Sequence, residues 1–77
     1  MDRKVIGEKL RTLRGPRTMA EISDATGIGH SALNMYELGE RIPRDDVKLK
    51  LAKFYGVNVE WLFFEDDFTK REVPAVQ

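Results

Sequence analysis

An all-α fold of five short helices around one core is what this sequence predicts, and three observations predict it. Apolar residues recur at helical spacing through most of the chain. Glycines stand where those periods stop, at Gly15, Gly27, Gly39 and Gly56. No segment of any length alternates apolar and polar residues as a half-buried strand would. A chain of 77 residues has room for one domain and little more.

The first helix rests on Ile6, Leu10 and Leu13, the i, i+4, i+7 stripe of an amphipathic helix, with Lys9, Arg11 and Arg14 off that stripe. Gly15 suits its C-cap and Pro16 cannot continue the hydrogen-bond ladder. Thr18 then sits where an N-cap belongs, and Glu21 three residues on completes a capping box. The second helix is expected over residues 19–26, burying Ile22 and Ala25, with small Ser23 at the centre of its inner face. Gly27 ends it, and Ile28 follows as a buried turn residue.

The third helix starts near His30, after Gly29 as a permissive N-cap, and ends at Leu38 before Gly39. Leu33 and Tyr36 should face inward with Glu37 beside them; His30, Ser31, Asn34 and Met35 should face out. Residues 40–43 form a loop. Pro43 suits a first helical turn, and Asp45 and Asp46 suit the positive end of a fourth helix running to Tyr55 over Val47, Leu51, Phe54 and Tyr55. Asn58 can cap a short fifth helix, residues 59 to about 63, that docks Trp61 and Leu62. Residues 65–77 lose the period and contain Pro74, so a flexible acidic tail is expected behind a domain over residues 1–64.

Composition narrows the function. Hydrophobic residues at 42% and charged residues at 34% mark a globular chain rather than a disordered one. The absence of cysteine removes disulfides, thiolate metal sites and a Cys nucleophile, and a single histidine leaves no His cluster. There is no nucleophile–base pair, phosphate loop or metal spacing, so no catalytic residue, metal or cofactor is expected and the chain reads as a non-enzyme. No apolar run approaches the roughly 20 residues of a membrane span, and a soluble, cytoplasmic chain without a membrane partner is expected.

Thirteen Lys and Arg balance thirteen Asp and Glu, a sum that by itself argues against nucleic acid. The sum hides an alternation. Residues 1–17 hold six basic and two acidic side chains, net +4; residues 18–40 hold four acidic and no Lys or Arg, net −4. Residues 41–56 hold five basic and two acidic, net +3; residues 57–77 hold two basic and five acidic, net −3. Basic segments therefore flank the stretch from Thr18 to Gly39.

That stretch reads as helix, tight turn, helix, with the small Ser23 and the turn glycine Gly27 at the offsets that let a second helix cross the first closely. With Ile22, Ser23, Gly27, Ile28, Leu33, Tyr36, Glu37, Gly39 and Pro43, then Leu51 to Val57 and Trp61 with Leu62, the chain resembles the Cro/repressor-type (XRE) helix-turn-helix family over roughly residues 5–63. The resemblance implies a lambda-repressor-like domain of five helices and a sequence-specific DNA-binding transcriptional regulator, of the phage or prophage repressor type. It implies base reading from the start and outer face of the third helix, here His30, Ser31, Asn34 and Met35, and a structural ion pair between Arg14 and Glu37. Chemistry agrees on the reading positions. A major groove admits a helix, Asn pairs bidentately with adenine, His donates to guanine acceptors, and Met lies against a thymine methyl.

Phosphate contacts are expected from the flanking basic segments, first Arg41 and Arg44, then Arg17 and Lys4. The partners implied are double-stranded DNA with a pseudo-palindromic operator, a second copy of the chain, and an antagonist protein. Trp61, Phe63, Phe64 and Phe68 offer more apolar area than a five-helix core can hide, so they are the expected dimer interface. Two departures from the family pattern stand out: Met19 where the family usually places Gln, and a connection between the first two helices about two residues shorter than usual. With a third helix lacking Lys and Arg, they motivate the alternative of a protein-interaction module that keeps the fold with weak or no DNA binding.

Overall fold

Asp2 opens the first helix. Its carboxylate accepts from the backbone N–H of Lys4 at 2.9 Å and of Val5 at 3.4 Å, satisfying two of the donors a helix start leaves over. In the computed structural model, which describes residues 1–65, four α-helices follow: α1 Arg3–Arg14, α2 Met19–Thr26, α3 His30–Leu38 and α4 Asp45–Tyr55. A single π-type turn, Glu60–Phe64, stands in the place of the expected fifth helix. The chain is thus all-helical in its described residues. Phe68 and all of the expected tail except Glu65 lie outside them.

The core gathers Ile6 and Leu10 of α1, Ile22 of α2, Ile28 from the turn, Leu33 and Tyr36 of α3, and Leu51 and Ala52 of α4. Val57, Trp61, Leu62 and Phe63 close it from the C-terminal side. α1 is the spine of this arrangement, packing against both α3 and the π-type turn.

Four local expectations change. Ala25 is exposed and Thr26 is buried in its place. Pro43 is buried but precedes the helix: α4 begins at Asp45, with Arg44 as N-cap. Lys9, off the apolar stripe by spacing, has no solvent exposure at all. Its stem lies in the α1 interface, and its ammonium donates to the carbonyls of Trp61 at 2.5 Å and Glu65 at 2.7 Å while standing 4.6 Å from the centre of the Trp61 ring.

The fourth change concerns the aromatic run. Trp61 and Phe63, expected at a dimer surface, are spent inside the monomer at 9% and 0% exposure. A turn wider than an α-helix rotates each residue through a smaller angle, so Trp61, Leu62 and Phe63 face inward in succession. Asn58 starts this turn, accepting from the N–H of Glu60 at 2.8 Å and more weakly from that of Trp61 at 3.4 Å. Phe64 alone of the described aromatics there stays open, and with Asp45, Lys48, Leu49 and Val59 it lines a shallow groove of about 260 Å3.

The capping box of α2 is complete. Thr18 Oγ1 accepts from the Glu21 N–H at 3.1 Å, and the Glu21 carboxylate accepts from the Thr18 N–H at 2.8 Å. Hydrogen bonding from Thr18, its backbone N–H first and its side chain second, holds the Glu21 carboxyl below the ordinary value of 4.5. A carboxyl depressed on folding contributes stability above its unfolded value and loses it as the pH falls through the folded one. Acidification below about pH 4.5 should therefore weaken the start of α2, and Glu21→Gln should flatten that acid limb. Unfolding free energy measured from pH 6 to 3 checks this; parallel acid limbs for the two proteins would refute it.

Candidate nucleic-acid interface

The turn between α2 and α3 is made by three residues with separate tasks. Gly27 takes φ +75°, a left-handed conformation that costs glycine no steric penalty. Ile28 buries its side chain, which obliges its backbone to find partners inside. Both come from α2: the Ile28 N–H donates to Thr26 Oγ1 at 3.2 Å, and the Ile28 carbonyl accepts from Ser23 Oγ at 2.7 Å. Ser23 is therefore more than a small residue at a crossing. Its hydroxyl fixes the turn that aims α3.

α3 then divides by face. Leu33, Tyr36 and Glu37 are buried; His30, Ser31, Asn34 and Met35 are exposed together on the other side, with Leu38 also open beyond them. The four expected reading side chains thus share one surface, and none carries a fixed positive charge. No side chain caps the first turn of α3, whose N-cap is Gly29.

Arg14 holds Glu37 with a two-pronged contact, Nε to Oε2 at 2.8 Å and Nη2 to Oε1 at 2.9 Å. The hydrogen bonds to this carboxylate raise the Arg14 pKa above its ordinary value. The third prong, Nη1, donates to the Arg17 carbonyl at 2.9 Å, so one guanidinium joins α1, the α1–α2 connection and α3.

The four expected phosphate ligands separate into two pairs. Arg41 and Arg44 are exposed on the loop just after α3. Arg17 is turned back on its own chain: Nη2 donates to the Leu13 carbonyl at 2.8 Å and Nε to that of Arg14 at 3.2 Å. Its guanidinium also lies 5.5 and 5.4 Å from the rings of Phe54 and Tyr55, bracing the connection against α4. Lys4 Nζ donates to the Leu38 carbonyl at 3.3 Å, at the C-terminal end of α3. Both cations serve helix ends, where orphan carbonyls and the negative end of the dipole attract them. Lys48, buried on α4, lies 3.4 Å from Asp45 and 5.0 Å from the Phe64 ring.

Sequence spacing passes over one residue that the geometry makes central. Gly7 is buried in the interior of α1, where the backbones of α1 and α3 touch. The readable signal is the residue type itself: glycine within a helix costs about 1 kcal/mol against alanine, a cost that close packing can require.

Two helices at a tight glycine turn, the second presenting a neutral exposed face beside a basic loop, define the helix-turn-helix class. The family model for helix-turn-helix matches residues 9–62, and the chain belongs to that family, in its Cro/repressor-like (XRE) branch. It is similar to the HTH-type transcriptional regulator ImmR of Bacillus subtilis (strain 168), 31% identical over 68 residues that cover 86% of this chain and 54% of that protein. It is also similar to the cryptic phage CTXphi transcriptional repressor RstR of Vibrio cholerae, 32% identical over 65 residues covering 82% of this chain and 59% of that one. The chain thus spans a little over half the length of these curated relatives.

Proposed function

We propose that this chain is a sequence-specific DNA-binding transcriptional regulator of the phage-repressor type, acting as a homodimer with α3 in the major groove. The observation that carries the reading is the shared exposure of His30, Ser31, Asn34 and Met35 on the helix that the Gly27–Ile28 turn presents, flanked by Arg41 and Arg44. Family membership and the names of two relatives point the same way. Asn34 reads a base edge, Met35 supplies apolar contact, and the two arginines grip phosphates without reading sequence. A homodimer places half-sites about one helical turn apart, about 34 Å.

Asn34→Ala should lower affinity for the preferred site about tenfold, within the range of one bidentate base contact, and relax preference at one position. Arg41→Ala should weaken preferred and random DNA alike and reduce the salt slope by about one unit. Selection from random DNA at low salt, followed by binding of each variant to selected and scrambled duplexes, measures both; equal losses on both duplexes for both variants would contradict this division of labour.

A second reading, a protein-interaction module on the same fold, is favoured by the start of α2. There Met19 packs toward the core and the Glu21 carboxylate occupies the helix end where a phosphate would sit. No enrichment from random DNA by the wild-type chain would select this reading over the first.

A further inference from the structure

α1 and α3 pack more extensively than any other two elements, and more than α2 and α3 of the helix-turn-helix itself. Three residues of α1 meet the C-terminal half of α3. A methyl group at Gly7 would land on the Glu37 carbonyl oxygen and stand 3.0 Å from that of Tyr36. The two backbones are in direct contact there, and any side chain at this position pushes them apart. About one turn earlier, Lys4 reaches past Gly39 to the Leu38 carbonyl, its stem so close that a Cβ on Gly39 would fall 2.8 Å from Lys4 Cδ. Two turns beyond Gly7, Arg14 grips the Glu37 side chain.

We propose that α1, through Gly7 and Lys4, sets the depth and tilt of α3 against DNA, which makes these two the positioning residues for base reading. This rests on the DNA-binding reading above. Hydrogen bonds to base edges tolerate only a few tenths of an ångström, whereas a Cβ at position 7 displaces α3 as a rigid body. The four outward side chains then move together. Arg41 and Arg44, on the loop beyond Gly39, keep their reach through flexible stems. Lys4 in this role acts on the end of α3 and not on phosphate.

The test compares wild type, Gly7→Ala and Lys4→Met by fluorescence anisotropy, well below each melting temperature and at one salt concentration. The probes are the duplex that wild type selects from random DNA and a scrambled duplex of the same composition. Gly7→Ala should lose about tenfold or more on the selected duplex and stay within about twofold of wild type on the scrambled one. Lys4→Met, which keeps the apolar stem, should lose about threefold, again on the selected duplex alone. A merely structural role would lower the melting temperature and leave the ratio of the two affinities unchanged, and that result in folded Gly7→Ala overturns the proposal. Equal losses on both duplexes for Lys4→Met make Lys4 a phosphate ligand and overturn it as well. Should Gly7→Ala fail to fold, Lys4→Met decides the matter, since Gly7 and its contact are intact there. Absence of any selected duplex removes the DNA reading itself, and the proposal with it, before a variant is made.

Discussion

Lys9→Met should lower the unfolding free energy by about 3 kcal/mol, a large loss for a change that keeps the apolar stem. Methionine matches the stem in length and apolar character, so packing changes little. What disappears is the ammonium, and with it two charge-assisted donors to the carbonyls of Trp61 and Glu65 and the contact with the Trp61 ring. Each such hydrogen bond contributes about 1.5–3 kcal/mol, and of the carbonyls left behind that of Trp61 is buried and that of Glu65 partly so. The cost of burying the ammonium offsets part of this, which is why the net is about one such bond and not two. A domain of this size holds about 4–12 kcal/mol in all, so the melting temperature should fall by more than about 10 °C. Thermal unfolding followed by circular dichroism measures it. A shift under about 2 °C would mean that the ammonium contributes nothing to the terminal turn.

Arg14→Ala comes second, with an expected loss of about 2 kcal/mol. Glu37 is 8% exposed, so removing its cation strands a carboxylate in the interior, while the Arg14 side chain at 23% exposure is partly screened by solvent. Glu37→Ala should cost a similar amount, and the double variant clearly less than the two single losses added. A double-mutant cycle by urea unfolding gives the coupling directly; strictly additive losses would show that the two groups stabilise the fold independently. On the proposed DNA reading, the same variants should loosen α3 from α1, and the selected duplex should lose more affinity than the scrambled one.

How much of this was legible in the sequence follows from where each signal is written. The bounds of α2 and α3 agree with expectation because their ends are marked locally, by Thr18 with Glu21 and by the glycines at 27, 29 and 39. The outward face of α3 is legible for the same reason: a short helix with known ends and two buried anchors leaves one rotation open. Arg14 and Glu37 came from family resemblance and not from spacing. Lys9 was illegible because its partners stand 52 and 56 residues away, and a period scored on side-chain polarity counts a lysine as outward. Arg17 and Lys4 illustrate a related difficulty. A basic residue near a helix end serves phosphate or a carbonyl equally well, and only tertiary placement decides between them. Trp61 and Phe63 hinge on the π-type turn, whose wider winding has no mark in residue types.

The neutral outward face of α3 bears on supply as well as on recognition. A genome offers every binding protein a vast excess of wrong sequence, and cations on a reading helix hold the protein to all of it. If α3 reads DNA as proposed, its outward face adds little to that idle binding, which falls to Arg41 and Arg44. On the DNA reading, fewer molecules are sequestered away from the operator, and a smaller cellular stock suffices to keep it occupied.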